Sequence, residues 1–501
     1  MAVLKIDKLS ITTHKGRILL EDFSFVLNEG DKVALIGEEG NGKSTILKII
    51  AGIDVDSYVS YSGEISSSGT IAYLPQTIEE KYLDIKVIDY IHKDIDYSHL
   101  YSLLNRISID PKLFERKIKE LSGGEKVKVS LLKIMYDDPD ILLLDEPTND
   151  LDLKTLIWLE EFIRNIDLPL LFVSHDETLL ENCANGILHL EQLKRKSEAI
   201  ITYAGTGYRE YQENRNAFIS RNNMIAAKEK SEFNKQLERW RQIYQKVEYR
   251  QNTISRGDPH GGMMLKRKMH AIKAKGRALE EKKEKLTKKY EPEEAIDIFF
   301  DDIDINPNKV IIDLNIDELM IDDSILSHDI KLKVLGKDKI CIIGDNGTGK
   351  TTLIKKICEE LKNRDDLKVF YMPQDYSEVM DYESSPVEFL WDRRNSSDRA
   401  RIQSYLGALR FTTEEMDHRI SELSQGQKAK ILIIKAILEN DDVLIMDEPS
   451  RNLSPLSNPK IRQILNDYKG CIISVSHDRK FIEEVADKVY ELDKDGLRKI
   501  D

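Results

Sequence analysis

Two loops of the same residue types stand about 300 positions apart, "GEEGNGKST" over 37–45 and "GDNGTGKTT" over 344–352. Both satisfy G-x-x-x-x-G-K-[ST], through Gly37, Gly42, Lys43 and Ser44 in the first and Gly344, Gly349, Lys350 and Thr351 in the second. Glycine lets backbone N–H groups close around phosphate oxygens, and a helix starting there adds positive potential. The lysine reaches the outer phosphates, while the Ser44 or Thr351 hydroxyl suits a magnesium ion. Gly40, Asn41 and Thr45 complete the first loop, and Asn346, Gly347, Thr348 and Thr352 the second.

Such loops need a strand behind them and a helix ahead. "KVALI" and "KICII" precede them, and "TILKII" and "TLIKKI" follow. Further along, "ILLLDEPTND" (141–150) and "VLIMDEPSRN" (443–452) run from four apolar residues into two carboxylates. Central parallel strands are apolar on both faces, and ligands bind beyond their carboxyl ends. Asp145 and Asp447 emerge there to hold magnesium, and Glu146 and Glu448 follow to orient or deprotonate a water. His175 and His477 end two further apolar runs at the same sheet edge, within reach of a terminal phosphate. "LPQ" (Gln76) pairs with "MPQ" (Gln374), and "LSGGE" (Ser122) with "LSQGQ" (Ser424). Five motif pairs in one order at nearly one offset mean a duplicated α/β domain.

The 501 residues suffice for about three domains. No apolar run approaches the roughly 18 residues of a membrane span. The lysines of "MAVLKIDKLS" interrupt any signal-peptide core. Four scattered cysteines read as reduced core residues of a cytoplasmic protein.

Charge is uneven. The net charge is −14, yet residues 211–290 carry 21 Lys and Arg against 9 Asp and Glu. That segment alone is expected to meet a polyanion. Phe233, Leu237, Trp240, Tyr244 and Val247 keep a heptad spacing, as do Leu265, Met269, Ile272, Gly276 and Leu279. Between them, "TISRGDPHGG" has the glycines and proline of a turn. The spacing predicts an antiparallel α-helical hairpin. The chain divides into a first nucleotide domain over 1–205, a basic hairpin linker over 206–292 with its tip near 252–264, and a second nucleotide domain over 293–501. At the tip, Arg256 and His260 suit RNA, Gly261 and Gly262 a tight turn, and Met263 and Met264 adaptable apolar contact. Lys266, Arg267 and Lys268 add positive charge.

"LSGGE" and "LSQGQ" resemble the signature motif of ABC ATPases, and "LPQ" and "MPQ" their Q-loops. The resemblance implies ATP and Mg²⁺, with two domains closing head to tail so that each ATP lies between one phosphate loop and the other domain's signature. One site would combine Lys43, Glu146 and His175 with Ser424, Gln425, Gly426 and Gln427. The other would combine Lys350, Glu448 and His477 with Ser122, Gly123, Gly124 and Glu125. Gln76 and Gln374 would join the metal ligands. His14 stands where the family places an adenine-stacking aromatic; the matching position before Lys350 is Ile321. Together with Gln427 against Glu125, this predicts unequal sites.

Two such domains around a basic hairpin resemble the ABC-F proteins. Only 46 residues separate Gln76 from Ser122, too few for an added arm, and the chain ends soon after "VYELDKDGLRKID". "LSQGQ" with "DEPSRNLSPLS" resembles the Vga/Lsa-type antibiotic-resistance members. This implies a monomer without membrane partners whose hairpin meets 23S rRNA and P-site tRNA from the exit-tRNA site. It further implies displacement of lincosamides, streptogramins A and pleuromutilins from the peptidyl-transferase centre. A housekeeping translation factor would share every motif.

Overall fold

The computed structural model describes residues 2–92, 95–193, 198–253, 259–290, 292, 298–300, 303, 305–321, 324–391 and 398–500. The chain divides into two compact units: Met1–Tyr208 together with Glu293–Asp501, and Arg209–Pro292.

Within the first unit the same architecture occurs twice. One six-stranded sheet runs Ile71–Leu74, Ile141–Asp145, Leu170–Val173, Lys32–Ile36, Gly186–Gln192 and Glu198–Ala204. Its counterpart runs Val369–Met372, Val443–Asp447, Cys471–Val475, Lys339–Ile343, Lys488–Asp493 and Gly496–Ile500. All neighbours pair in parallel except the last, which is antiparallel. Ile141–Asp145 and Val443–Asp447 are buried at every position, as the unbroken apolar runs require. Among the described residues a separate antiparallel sheet accompanies each, three-stranded in the first domain and two-stranded in the second.

Each phosphate loop connects the middle strand of its sheet to a helix, Lys43–Ile50 or Lys350–Lys362. Gly42 and Gly349, at φ 96° and 95°, turn the chain into these helices in the left-handed region.

The second unit is an antiparallel pair of helices, Tyr208–Thr253 and Pro259–Glu284. The first has 46 residues and is about 70 Å long. Phe233, Met269 and Leu279 of the two heptad seams are buried. The Trp240 indole N–H donates to the Ile272 carbonyl at 2.8 Å, and Gly276 lies under its ring. The sequence reading is corrected at one point. Gly261 and Gly262 lie in the first turns of the second helix rather than in the turn. Pro259 starts that helix because its fixed φ and missing N–H suit a first position.

Candidate active sites

Both glutamates that follow the buried strands take left-handed backbone, Glu146 at φ 49° and Glu448 at φ 56°. That conformation is uncommon outside glycine and marks a constrained position. Each carboxylate lies near enough to the lysine of its own phosphate loop, Lys43 or Lys350, to feel its charge.

At the first loop, the Lys43 ammonium donates to the Gly37 and Glu38 carbonyls at 2.9 and 3.1 Å, which fixes it over the loop. Ser44 donates to Asp145 Oδ1 at 2.9 Å and the Tyr73 hydroxyl to Oδ2 at 2.8 Å. Glu146 is held by three side chains: Gln76 Nε2 at 2.9 Å, Asn149 Nδ2 at 2.8 Å and His175 Nε2 at 3.1 Å. His175 Nδ1 lies 2.8 Å from the Leu453 carbonyl of the second domain. Burial pushes the Glu146 carboxyl up, but His175, Lys43 and Asn149 outweigh it and hold it at about 2.

This loop already meets the facing signature. Glu38 pairs with Lys430 of the helix Gln425–Glu439 at 2.5 Å and accepts hydrogen bonds from Ser454 and Ser457. Against the upward push of burial, Lys430 and the hydroxyls hold Glu38 at about 2. The Gly426 N–H donates to the Glu39 carboxylate.

At the second loop, Lys350 donates to the Gly344 and Asp345 carbonyls at 2.8 and 2.9 Å. Glu448 receives the His477 backbone N–H at 3.2 Å, and its other oxygen is 3.6 Å from His477 Nε2. Burial, then the adjacent Asp447 charge, push Glu448 up to about 8. Burial, with Lys350 nearby, lowers His477 to about 4. A cavity of about 600 Å³ opens here, lined by Lys350, Thr351, Thr352, Gln374, Asp447, Glu448 and His477, and by Gly123 and Asp150 of the first domain. Ile321 and Leu326 form part of its apolar wall. Across the gap Asn346 donates to the Asp150 carbonyl at 2.8 Å, and Lys154 pairs with Asp345 at 2.7 Å.

The residues fit a magnesium ion at both loops. Asp447 Oδ2 is buried without a hydrogen-bond partner among the described residues, and the Thr351 hydroxyl bonds the same carboxylate. One carboxylate and one hydroxyl leave room for phosphate oxygens and water, which this ion prefers.

Ser122 and Ser424 cap the helices Gly123–Tyr136 and Gln425–Glu439, with Glu125 and Gln427 completing capping boxes. Those two side chains therefore bond the Ser122 and Ser424 N–H groups rather than pointing freely into a ligand space. His14 lies in an exposed turn.

Several residues escaped the sequence reading. Tyr73 and Tyr371 stand three places before Gln76 and Gln374, a pairing visible in "YLPQ" and "YMPQ". The Arg451 guanidinium meets Asp150 at 2.6 Å, joining the segments after the two glutamates.

In the second unit, Lys266, Arg267, Lys268 and His260 are exposed, and Met263 and Met264 half exposed. Arg256 lies outside the described residues.

The family model described as "ABC transporter" matches residues 20–149 and 327–451, about half of the chain. The ATP-binding protein Uup of Buchnera aphidicola (strain APS) is 30% identical over 99% of this chain and 81% of its own length. The chain is an ABC-F-type ATP-binding protein. This ABC-F chain is also similar to ABC transporter F family member 2 of Arabidopsis thaliana, at 27% identity over 97% of this chain and 76% of that protein. The ribosome protection protein VmlR of Bacillus subtilis is 27% identical over 97% of this chain and 86% of its own length. Among solved structures, archaeal ABCE1, a ribosome recycling factor in complex with the stalk protein aP1, superposes with a TM-score of 0.60. It is 18% identical, over 98% of this chain and 90% of that one, and shares the fold. The ABC-F chain is an ATP hydrolase built from two tandem ABC domains joined by a helical hairpin. No described helix is long and apolar enough to cross a membrane.

Proposed function

We propose that ATP turnover in the paired domains controls binding of the basic hairpin to the ribosome, and that the protein acts there as a ribosome protection protein. In this reading Glu146 and Glu448 orient and deprotonate the attacking water, and His175 and His477 contact the terminal phosphate. Ser44 with Asp145, and Thr351 with Asp447, hold magnesium, which when bound neutralises charge on the phosphates; Gln76 and Gln374 support that site. The signature helices present N–H groups to the phosphate across the domain boundary, where helix N-termini favour anions.

The observation that carries the ribosomal reading is the exposed Lys266–Lys268 run on a long basic hairpin within an otherwise acidic chain. RNA duplexes are read mainly through phosphates and shape, which suits such a surface. VmlR, similar over nearly the whole chain, is named a ribosome protection protein, which supports the finer assignment. A general role in translation is the second reading, because a housekeeping ABC-F factor would share every motif of this chain.

Sedimentation with ribosomes tests the first part. Association is expected only with ATP, is expected to weaken steeply with salt, and is expected to drop further in K266E/R267E/K268E. Binding indifferent to salt and to those substitutions overturns it. Susceptibility of a strain with and without the gene separates the two readings. A raised inhibitory concentration of a lincosamide or pleuromutilin marks protection; a growth defect without drug marks the general role.

A further inference from the structure

Four charged residues meet between the two ABC domains at matching places in the duplicated fold. Glu160 and Arg462 occupy the same position in the helices Leu153–Asn165 and Asn458–Asp467. Glu177 and Arg479 open the helices Glu177–Cys183 and Arg479–Val485. Both pairs keep the sequence offset of Glu146 and Glu448. The first domain carries a carboxylate at each place and the second a guanidinium.

The contacts repeat the same symmetry. Arg462 grips both oxygens of Glu177, at 2.5 and 3.3 Å, and is braced by Glu484 of its own domain at 2.8 Å. Arg479 reaches Glu160 at 2.8 Å, and Glu160 is braced by Asn182 of its own domain at 2.7 Å. Asn182 and Glu484 are again matching positions. Asp176 lies 3.5 Å from Arg479, and Lys480 pairs with Glu181 at 3.0 Å, also with the acid in the first domain and the base in the second. Glu160, Glu177 and Arg462 are almost wholly buried.

We infer that these positions form a charge code that admits the second ABC domain opposite the first and rejects a second copy of either. The two domains are related by an approximate twofold, so place 160 or 462 of one faces place 177 or 479 of the other. A first domain facing its own copy would bury Glu160 against Glu177 with no cation between them. A second domain facing its copy would bury Arg462 against Arg479. Buried like charges are disfavoured strongly enough to choose between partners of one shape. The code therefore guarantees that every composite ATP site is mixed, with the loop of one domain and the signature of the other.

The test uses the full chain in four forms: parent, E160R/E177R, R462E/R479E, and the fourfold exchange of all these positions. Each double reversal is expected to keep its helicity by circular dichroism, to expand in hydrodynamic radius, and to lose ATPase by at least about tenfold. The fourfold exchange is expected to restore compactness and ATPase to within about threefold, because it rebuilds both pairs. An equimolar mixture of the two double reversals is expected to recover ATPase with second-order dependence on concentration, through pairing between chains. Parent-like behaviour of the double reversals overturns the inference, as does a fourfold exchange no better than they are, or a mixture without recovery. Should a double reversal fail to fold, E177R against E177R/R462E gives the same comparison at a single pair.

Discussion

The two composite sites share every motif and differ in chemistry. Glu146 and Glu448 have side chains equally buried, at 12% and 14% exposure. One carboxyl is nonetheless held at about 2 and the other pushed up to about 8. Partners account for the gap. Asn149 bonds Glu146, whereas its counterpart Arg451 turns away from Glu448 to pair with Asp150. His175 stands 3.1 Å from Glu146, while His477 stands 3.6 Å from Glu448 with its Nδ1 unpartnered among the described residues. Across the gap, Glu38 and Glu39 bond Lys430 and Gly426 of the facing signature helix, whereas Asp345 and Asn346 bond Lys154 and Asp150 beside a cavity. A duplicated motif thus fixes which atoms can react, and its immediate neighbours decide how readily they do.

The comparison can be erased first. Glu146→Gln with Glu448→Gln is expected to lower phosphate release by about 100-fold or more, the scale of losing a general base. Hydrolysis unchanged in that variant would falsify the assignment of both glutamates.

The single variants then rank the sites. Glu146→Gln and Glu448→Gln are expected to differ in residual turnover, because three side chains hold Glu146 whereas, among the described residues, Glu448 has only His477 beside it. Equal residual rates would remove the basis for calling the sites unequal.

Titration offers an independent reading in metal- and nucleotide-free protein. Glu448 carries a proton when folded up to pH about 8, but loses it near its ordinary value, 4.5, when unfolded. The folded state thus binds the extra proton, and stability falls as pH rises between those values, by at most about 1.4 kcal/mol per unit. Chemical denaturation of Glu448→Gln is expected to lose this slope, while Glu146→Gln keeps it. An identical slope in both variants would contradict the difference in environment.

A smaller effect is expected at the first loop. Glu39→Asn installs the residue type of Asn346 and removes a carboxylate from the Gly426 N–H. Nucleotide titration should show tighter ATP binding by roughly threefold, the scale of a modest change in local charge. Weaker binding would show that Glu39 supports the nucleotide instead. Smallest of all is Arg451→Ala, which breaks a partly exposed ion pair worth about 1 kcal/mol or less. A loss of several kcal/mol in denaturation would mean that Arg451 anchors the interface.

Much of this was legible in the sequence. Apolar runs ending in Asp-Glu marked the buried strands, glycine spacing marked both phosphate loops, and two heptads marked the hairpin. Unequal sites are expected in the sequence from His14, Ile321 and Gln427, whereas the structural differences between the two loops lie at Glu38, Glu39, Asn149 and Arg451. Glu38, Glu39 and Arg451 act across a domain boundary, and sequence order says nothing about which loop a carboxylate faces. Gly261 and Gly262 read as turn residues because glycine is usually a breaker; a proline at the first helical position overrode that preference.

Trp240 also sets a length. Its indole is tied to the Ile272 carbonyl, and a Cβ at Gly276 would come within 2.9 Å of its ring. Sliding one helix by a heptad would bring Met269 or Lys283 to the place only glycine fits, so the hairpin has one register. It is therefore a ruler whose graduations are residues. Removing one heptad from each helix on the other side of the Trp240–Gly276 contact, toward Tyr208 and Glu284, would bring Lys266–Lys268 about 10 Å closer to the Glu284 end of the second helix without disturbing that contact. The depth at which this chain delivers its basic residues is written as a count, and it can be recalibrated seven residues at a time.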